Sequence, residues 1–282
     1  MKSLSQKPVF VVGCSRSGTT LLQSLLATHS QIVSFPESKL FLYLVPETPS
    51  RRIFGIASRR VRSRLKEFFR SELKQPEVML QFSPTTLFIS QYVNKFVAVM
   101  DSLTKQMGKS LWLEKTPEHI FYVENIEKFI PGAKFIHIIR NGEDVVASMY
   151  ELAQKYPKFW ADKSNIDVCI DKWMRAVAAS HKHLHKPNHV MVRYEDLVEN
   201  SQNQLVKLCN FMDVEFEENM LQSYHETASS VTLQREYWKE NVYRKIEKPS
   251  SPKFERLFDE SQRQYILERV TPMNLKSNEI NN

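Results

Sequence analysis

Three short stretches put polar and charged residues where a strand gives way to a helix. The first is "PVFVVGCSRSGTTLLQSLLATH" (8–29). An apolar, β-branched run ends in a turn of small residues, and an amphipathic helix follows. Backbone N–H groups of such a turn, with those of the helix N-terminus, make a cradle for an anion. Ser15, Ser17, Thr19 and Thr20 add hydroxyl donors, and Gly13 and Gly18 flank the turn. Arg16 adds a planar fork suited to a phosphate or sulfate oxygen. The Gly-Lys-Ser/Thr of a nucleoside-triphosphate loop is missing.

The second stretch is "LWLEKTPEH" (111–119), in which Lys115 closes an otherwise apolar strand. A lysine there is either a solvated strand end or a cation aimed into a cleft. The third is "AKFIHIIRNGEDVVASMYEL" (133–152). Arg140 ends its strand, and Ser148 lies two helical turns into the next helix. Arg140 taken alone suits an ion pair with Asp144.

These motifs need elements to position them. Strands are read at 8–12 and 31–35, and at the starts of the stretches 111–117, 133–152 and 189–197. Helices are read at 19–29, in the second half of 133–152, from 166 to 184, at 201–212 and at 216–225. One more follows position 250, with Asp259 or Ser261 near its start. A Pro-started helix follows Lys115. Two or three helices occupy 52–107, and one of them carries Phe88, Tyr92, Phe96, Val99 and Leu103 at helical spacing. Strands alternating with helices imply an α/β fold with a mostly parallel central sheet covered on both faces. Binding then belongs at the C-terminal ends of the strands. No repeat or low-complexity linker divides the chain, so 1–282 is read as one domain.

The 282 residues carry a net charge of +7, which favours anionic partners. No nucleic-acid-binding signature accompanies that charge, so nucleic acid is not expected. Cys14, Cys169 and Cys209 show no metal-ligand spacing, and an odd, sparse set suits a reducing compartment. The N-terminal apolar run is too short for a signal-peptide core. No run approaches the ~20 apolar residues of a membrane span. The expectation is a cytoplasmic protein. His137, inside an apolar strand, reads as a core histidine. His181, His183 and His185 cannot share a helix face and read as solvated. The segment 51–74 is rich in arginine and lysine. It reads either as a solvated helical face or as a surface that recruits an acidic acceptor or a membrane.

Taken together, "RSGTT" (16–20), "EKTP" (114–117), "RNGEDVVAS" (140–148) and "RYEDLVEN" (193–200) resemble the sulfotransferases that use 3′-phosphoadenosine 5′-phosphosulfate (PAPS). The likeness is greatest to the branch of tyrosylprotein sulfotransferases and related bacterial enzymes, and it spans roughly residues 8–250. It implies a single α/β domain of phosphate-loop type. PAPS would be the donor co-substrate, no metal would be needed, and the acceptor would be a hydroxyl on a glycan, lipid, peptide tyrosine or small phenol.

By matching position, the resemblance assigns Ser15, Arg16, Ser17, Gly18, Thr19 and Thr20 to the phosphosulfate, and Arg140 and Ser148 to the 3′-phosphate. Tyr194 would line the nucleotide site. Lys248, with Arg244 and Lys245 as rivals, would return to the 3′-phosphate. Lys115 would stabilise the leaving phosphate. Glu37, which lies 21 residues after Arg16, is the implied base. It stands alone after Pro36, where the peptide-acting branch tends to have a Glu pair after Gly. His119 is the rival base, because cytosolic sulfotransferases use a histidine. Residues of about 45–108 would form a helical insertion that serves as an acceptor-side lid. Two other readings remain open: a phosphate-loop kinase for a nucleotide or small molecule, and a non-catalytic nucleotide-binding protein of the same fold.

Overall fold

The computed structural model describes residues 7–231 and 252–281. Its elements begin with β1 (Val9–Gly13), α1 (Thr19–Ala27), β2 (Ile32–Ser34), α2 (Leu40–Leu44), α3 (Pro49–Ile53), α4 (Val61–Lys66) and α5 (Ile89–Gln106). Then come β3 (Leu111–Lys115), α6 (Val123–Phe129), β4 (Lys134–Ile139), α7 (Gly142–Lys155), α8 (Pro157–Trp160) and α9 (Ile166–His181). The chain continues through β5 (His189–Arg193), α10 (Tyr194–Glu199), α11 (Ser201–Met212), α12 (Asn219–Gln222) and α13 (Tyr224–Val231). It closes with α14 (Pro252–Leu257) and α15 (Glu260–Asn281).

The strands form one sheet in the order β2-β3-β1-β4-β5, and each pairing is parallel. All residues of β1 are buried. Phe10 and Val12 enter one core, and Val9 and Val11 enter the other. Strand geometry requires this split, because successive side chains leave opposite faces. A strand covered on both sides must be apolar throughout.

Helix α1 sits on the second face with Leu22, Leu25 and Leu26. Helix α7 sits on the first with Val145, Val146 and Met149. The neighbouring strands β1 and β4 therefore send their following helices to opposite faces. In open parallel sheets such a switch point is where ligands bind, outside the carboxyl ends of the strands.

Several elements differ from expectation. The turn after Lys115 is a 3₁₀ helix, Pro117–Tyr122. Where one helix was expected at 216–225, α12 and α13 meet at Ser223. The tail is two helices, and Asp259 accepts the Gln262 N–H at the start of the second. The region 49–106 adds a π-helical turn, Glu67–Glu72, and a 3₁₀ turn, Pro76–Gln81, to α3, α4 and α5. Phe68, Phe69, Phe82, Tyr92 and Phe96 from this region share the first core with Trp112 of β3. This helical region thus covers one face of the sheet. Its basic run is not uniformly solvated, because Arg64 is buried.

The histidines also need correction. His183 is buried and stacks on His189 with ring centroids 5.6 Å apart. His137 is a core histidine as expected, with Nε2 2.8 Å from Nδ1 of His189. Among the described residues no helix is long and apolar enough to cross a membrane. No metal-binding group of His, Cys, Asp and Glu occurs among them.

Candidate active site

The loop after β1 turns tightly, with the Ser17 N–H donating to the Cys14 carbonyl at 3.2 Å. Arg16 takes a left-handed backbone with φ 75°. Such a conformation is costly for a residue with a Cβ, and it persists where surroundings over-determine it. It turns the guanidinium toward α7, where Nε donates to Ser148 Oγ at 3.2 Å. The loop after β1 and the helix after β4 are thereby joined.

Arg140, at the end of β4, reaches the same place. Its Cζ lies 4.4 Å from the ring centroid of Tyr194, and one terminal nitrogen lies 3.4 Å from Asp144. The expected pairing with Asp144 is therefore present beside the cleft, where it holds the arginine. Burial first, and the neighbouring Arg140 charge second, push the Arg16 guanidinium pKa down to about 10. It stays charged at neutral pH. Two cations brought this close in a buried cleft repel each other, and an anion between them relieves that.

Tyr194 is the first residue of α10. Its ring lies so near Gly18 that a Cβ there would fall 2.3 Å from it. Gly18 has φ 91° and is the N-cap of α1. Only glycine meets both demands.

Neighbouring residues lock the β4 turn. The Arg193 guanidinium donates to Asn141 Oδ1 at 2.7 Å and to Glu195 Oε2 at 3.1 Å. Glu195 accepts the Asn141 N–H at 3.0 Å, and Trp173 Nε1 donates to the Arg140 carbonyl at 3.0 Å. Ser17 Oγ and Arg140 Nε are buried and find no partner among the described residues. Thr19 and Thr20 are buried in the first turn of α1. Ser15 Oγ donates to Glu118 at 2.7 Å. Donors left over beside two guanidinium groups fit a phosphate-bearing ligand.

At the neighbouring strand end, Lys115 is fully buried, and its Nζ lies 2.6 Å from Glu37 Oε1. Lys39 Nζ lies 3.8 Å from the other Glu37 oxygen. Lys115 and Glu37 are 78 residues apart in sequence. Their meeting puts a cation and a carboxylate together on the rim beside the anion loop.

His119 goes elsewhere. It is fully buried, with Nδ1 2.8 Å from Glu114 Oε2 and Nε2 accepting the Phe41 N–H at 3.3 Å. Both ring nitrogens are engaged inside the protein, so this side chain has no free nitrogen to offer an acceptor hydroxyl. Lys248, Arg244 and Lys245 lie outside the described residues.

Sequence reasoning overlooked a second layer. Glu114 is buried and accepts from the Ser38 and Thr116 hydroxyls, each at 2.7 Å. Burial raises its carboxyl pKa, but His119 and these hydroxyls outweigh burial and hold it below the usual range. A Glu at the end of an otherwise apolar strand was the available signal. Arg64 and Glu72 belong to the same layer.

The cysteines take no part. Burial pushes the Cys14 thiol up to about 12, and Cys169 and Cys209 up to about 11. Thiols so raised are poor nucleophiles.

A parallel sheet with an anion cradle at its switch point defines a phosphate-loop α/β protein. A family model described as the sulfotransferase family matches residues 8–218. The chain belongs to the sulfotransferase family. A Drosophila melanogaster protein-tyrosine sulfotransferase is 27% identical over 221 residues, which is 77% of this chain and 40% of the relative. An uncharacterized Aquifex aeolicus protein is 28% identical over 89% of this chain and 32% of its own length. The chain thus spans well under half the length of these curated relatives. Among solved structures, the sulfotransferase domain of the Synechococcus PCC 7002 olefin synthase superposes with a TM-score of 0.61. It is 19% identical and covers 95% of each chain. A mouse sulfotransferase complexed with PAP gives a TM-score of 0.56 at 13% identity, covering 94% of this chain and 85% of that one.

Proposed function

We propose that the chain transfers the sulfuryl group of PAPS to an acceptor hydroxyl. One observation carries the reading: Arg16, Ser148 and Arg140 meet beside the loop after β1, and the Lys115–Glu37 pair stands at the end of the adjacent strand β3. A donor with phosphate groups at both ends of an adenosine needs two separated anion sites. The loop of Ser15 to Thr20 supplies one and the β4–α7 side the other. The mouse sulfotransferase of the same fold was solved with PAP, and this agrees with such a donor.

In this reading the acceptor oxygen attacks sulfur in line with the bridging oxygen. The new S–O bond forms as the old one breaks, and the bisphosphate departs with the electron pair. The acceptor proton passes to Glu37. Lys115 faces the bridging oxygen and stabilises the charge that grows there. Arg16 and the loop N–H groups fix the 5′ end, and Arg140 and Ser148 fix the 3′ end, so that the reacting atoms are held in line. Three protein cations supply the positive charge, and we read the transfer as metal-independent.

The test uses radiolabelled PAPS with a panel of a tyrosine peptide, a phenol, a glycan and a long-chain alcohol, in buffer with a chelator. The expected result is a labelled sulfate ester on at least one acceptor. Absence of labelling with every acceptor, alongside Mg²⁺-dependent consumption of ATP, would replace this reading with a kinase.

A further inference from the structure

The segment Glu37–Lys39 carries the proposed base, and the protein grips its backbone from two sides. The Arg64 guanidinium donates from Nε to the Ser38 carbonyl at 2.9 Å and from a terminal nitrogen to the Glu37 carbonyl at 2.5 Å. From β3, Glu114 accepts the Ser38 N–H at 3.1 Å, and Thr116 Oγ1 accepts the Lys39 N–H at 3.2 Å. The gripped turn is strained, since Lys39 has φ 53°.

Arg64 comes from the insertion and is only 6% exposed. Its other terminal nitrogen lies 2.8 Å from Glu72 Oε1 and 3.1 Å from Glu67 Oε2. Glu72 ends a π-helical turn. The wider winding of that turn returns its carboxylate to an arginine eight residues earlier. π-Helical turns are rare and concentrate at functional sites.

Burying a guanidinium and a carboxylate costs desolvation that well-packed apolar side chains would avoid. Here the fork spends two donors on consecutive carbonyls, one of them that of Glu37. Such a bidentate grip fixes a peptide's orientation, which a single point charge cannot do.

We propose that Arg64, anchored by Glu72, is a positioning residue that sets the aim of the Glu37 carboxylate. This rests on reading Glu37 as the base. Through Arg64 the insertion sets the geometry of the reaction without touching a reactant.

The test compares Arg64→Lys, Glu72→Gln and Glu37→Gln, singly and as the Arg64→Lys/Glu37→Gln double variant. The substrates are radiolabelled PAPS and the best acceptor of the panel above. Arg64→Lys is expected to lower kcat by roughly ten- to a hundredfold, because a small misplacement of a reacting group costs that much. KM for PAPS and calorimetric affinity for adenosine 3′,5′-bisphosphate should hold within about twofold, since Arg64 acts on the base alone. In the Glu37→Gln background the same change should cost under about threefold, because residues acting as a unit are non-additive. Glu72→Gln leaves the Arg64 side chain itself unchanged but weakens its anchor, and should show a milder loss with the same pattern, so the proposal stays testable if Arg64→Lys folds poorly.

Wild-type kcat in both Arg64→Lys and Glu72→Gln would overturn the proposal. So would losses that multiply in full in the Glu37→Gln background, or a parallel fall in bisphosphate affinity. Full turnover by Glu37→Gln would instead remove Glu37 as the base, and that failure is separately visible.

Discussion

At the scale of single residues, the site depends on backbone conformations that few side chains accept. Arg16 sits at φ 75° and Gly18 at φ 91°, two residues apart in one turn. The first aims a guanidinium at Ser148, and the second lets the Tyr194 ring close over the loop. Gly18→Ala adds a methyl group 2.3 Å from that ring. It also imposes an unfavourable φ, which costs on the order of 1–3 kcal/mol. We predict that the variant folds but binds adenosine 3′,5′-bisphosphate at least about tenfold more weakly, as about 1.4 kcal/mol corresponds to. Adding Tyr194→Ala should recover part of the loss, because the obstructing ring is gone. Calorimetry on the single and double variants reads both. Unchanged affinity in Gly18→Ala would show that the loop does not depend on this contact.

At the scale of elements, β4, β5 and the turn after α9 enclose a histidine cluster. His137 and His189 are hydrogen-bonded, His183 stacks on His189, and Glu127 lies 3.1 Å from the outer His189 nitrogen. Burial pushes His189 down to about 4 despite Glu127, and burial also lowers His137 and His183. Their folded pKa values lie below the unfolded ones. As pH falls from about 6.5 toward 4, the unfolded chain binds protons that the folded chain refuses, and stability drops. The urea midpoint should therefore be lower at pH 5 than at pH 7, and His189→Gln should reduce the difference. Equal midpoints in the parent protein would contradict this.

The same elements show what the sequence could convey. The strands and α1, α7, α9 and α11 were legible because each carries an unbroken apolar run or a clean helical stripe. The candidate site was legible because Arg16, Lys115 and Arg140 stand at strand ends, where polar residues interrupt apolar runs. The Arg64 grip was not. Within a run of arginines nothing local marks the one that turns inward; its burial is set by Glu72 and by carbonyls 27 and 26 residues upstream. His183 was hidden in the same way, because its neighbour His189 lies on the following strand. His119 illustrates the converse. Its proximity in sequence to Lys115 suggested the rim, yet the 3₁₀ turn carries it under Phe41 and onto Glu114.

For the whole molecule, the net charge of +7 matters less than where a few of the cations converge. The strand order places the ends of β1, β3 and β4 side by side. In the proposed function the loop arginine, the buried lysine and the second arginine form one site because the sheet is parallel. The proposed donor spans this site, with its 3′-phosphate on the Arg140 side. The most direct test is isothermal titration of adenosine 3′,5′-bisphosphate and of AMP into the parent protein and Arg140→Ala. A charged hydrogen bond contributes about 1.5–3 kcal/mol. Bisphosphate affinity should therefore fall by roughly ten- to a hundredfold, while AMP affinity stays within about twofold. Equal losses for the two ligands would contradict a 3′-phosphate site at Arg140, and with it the two-ended grip on the donor.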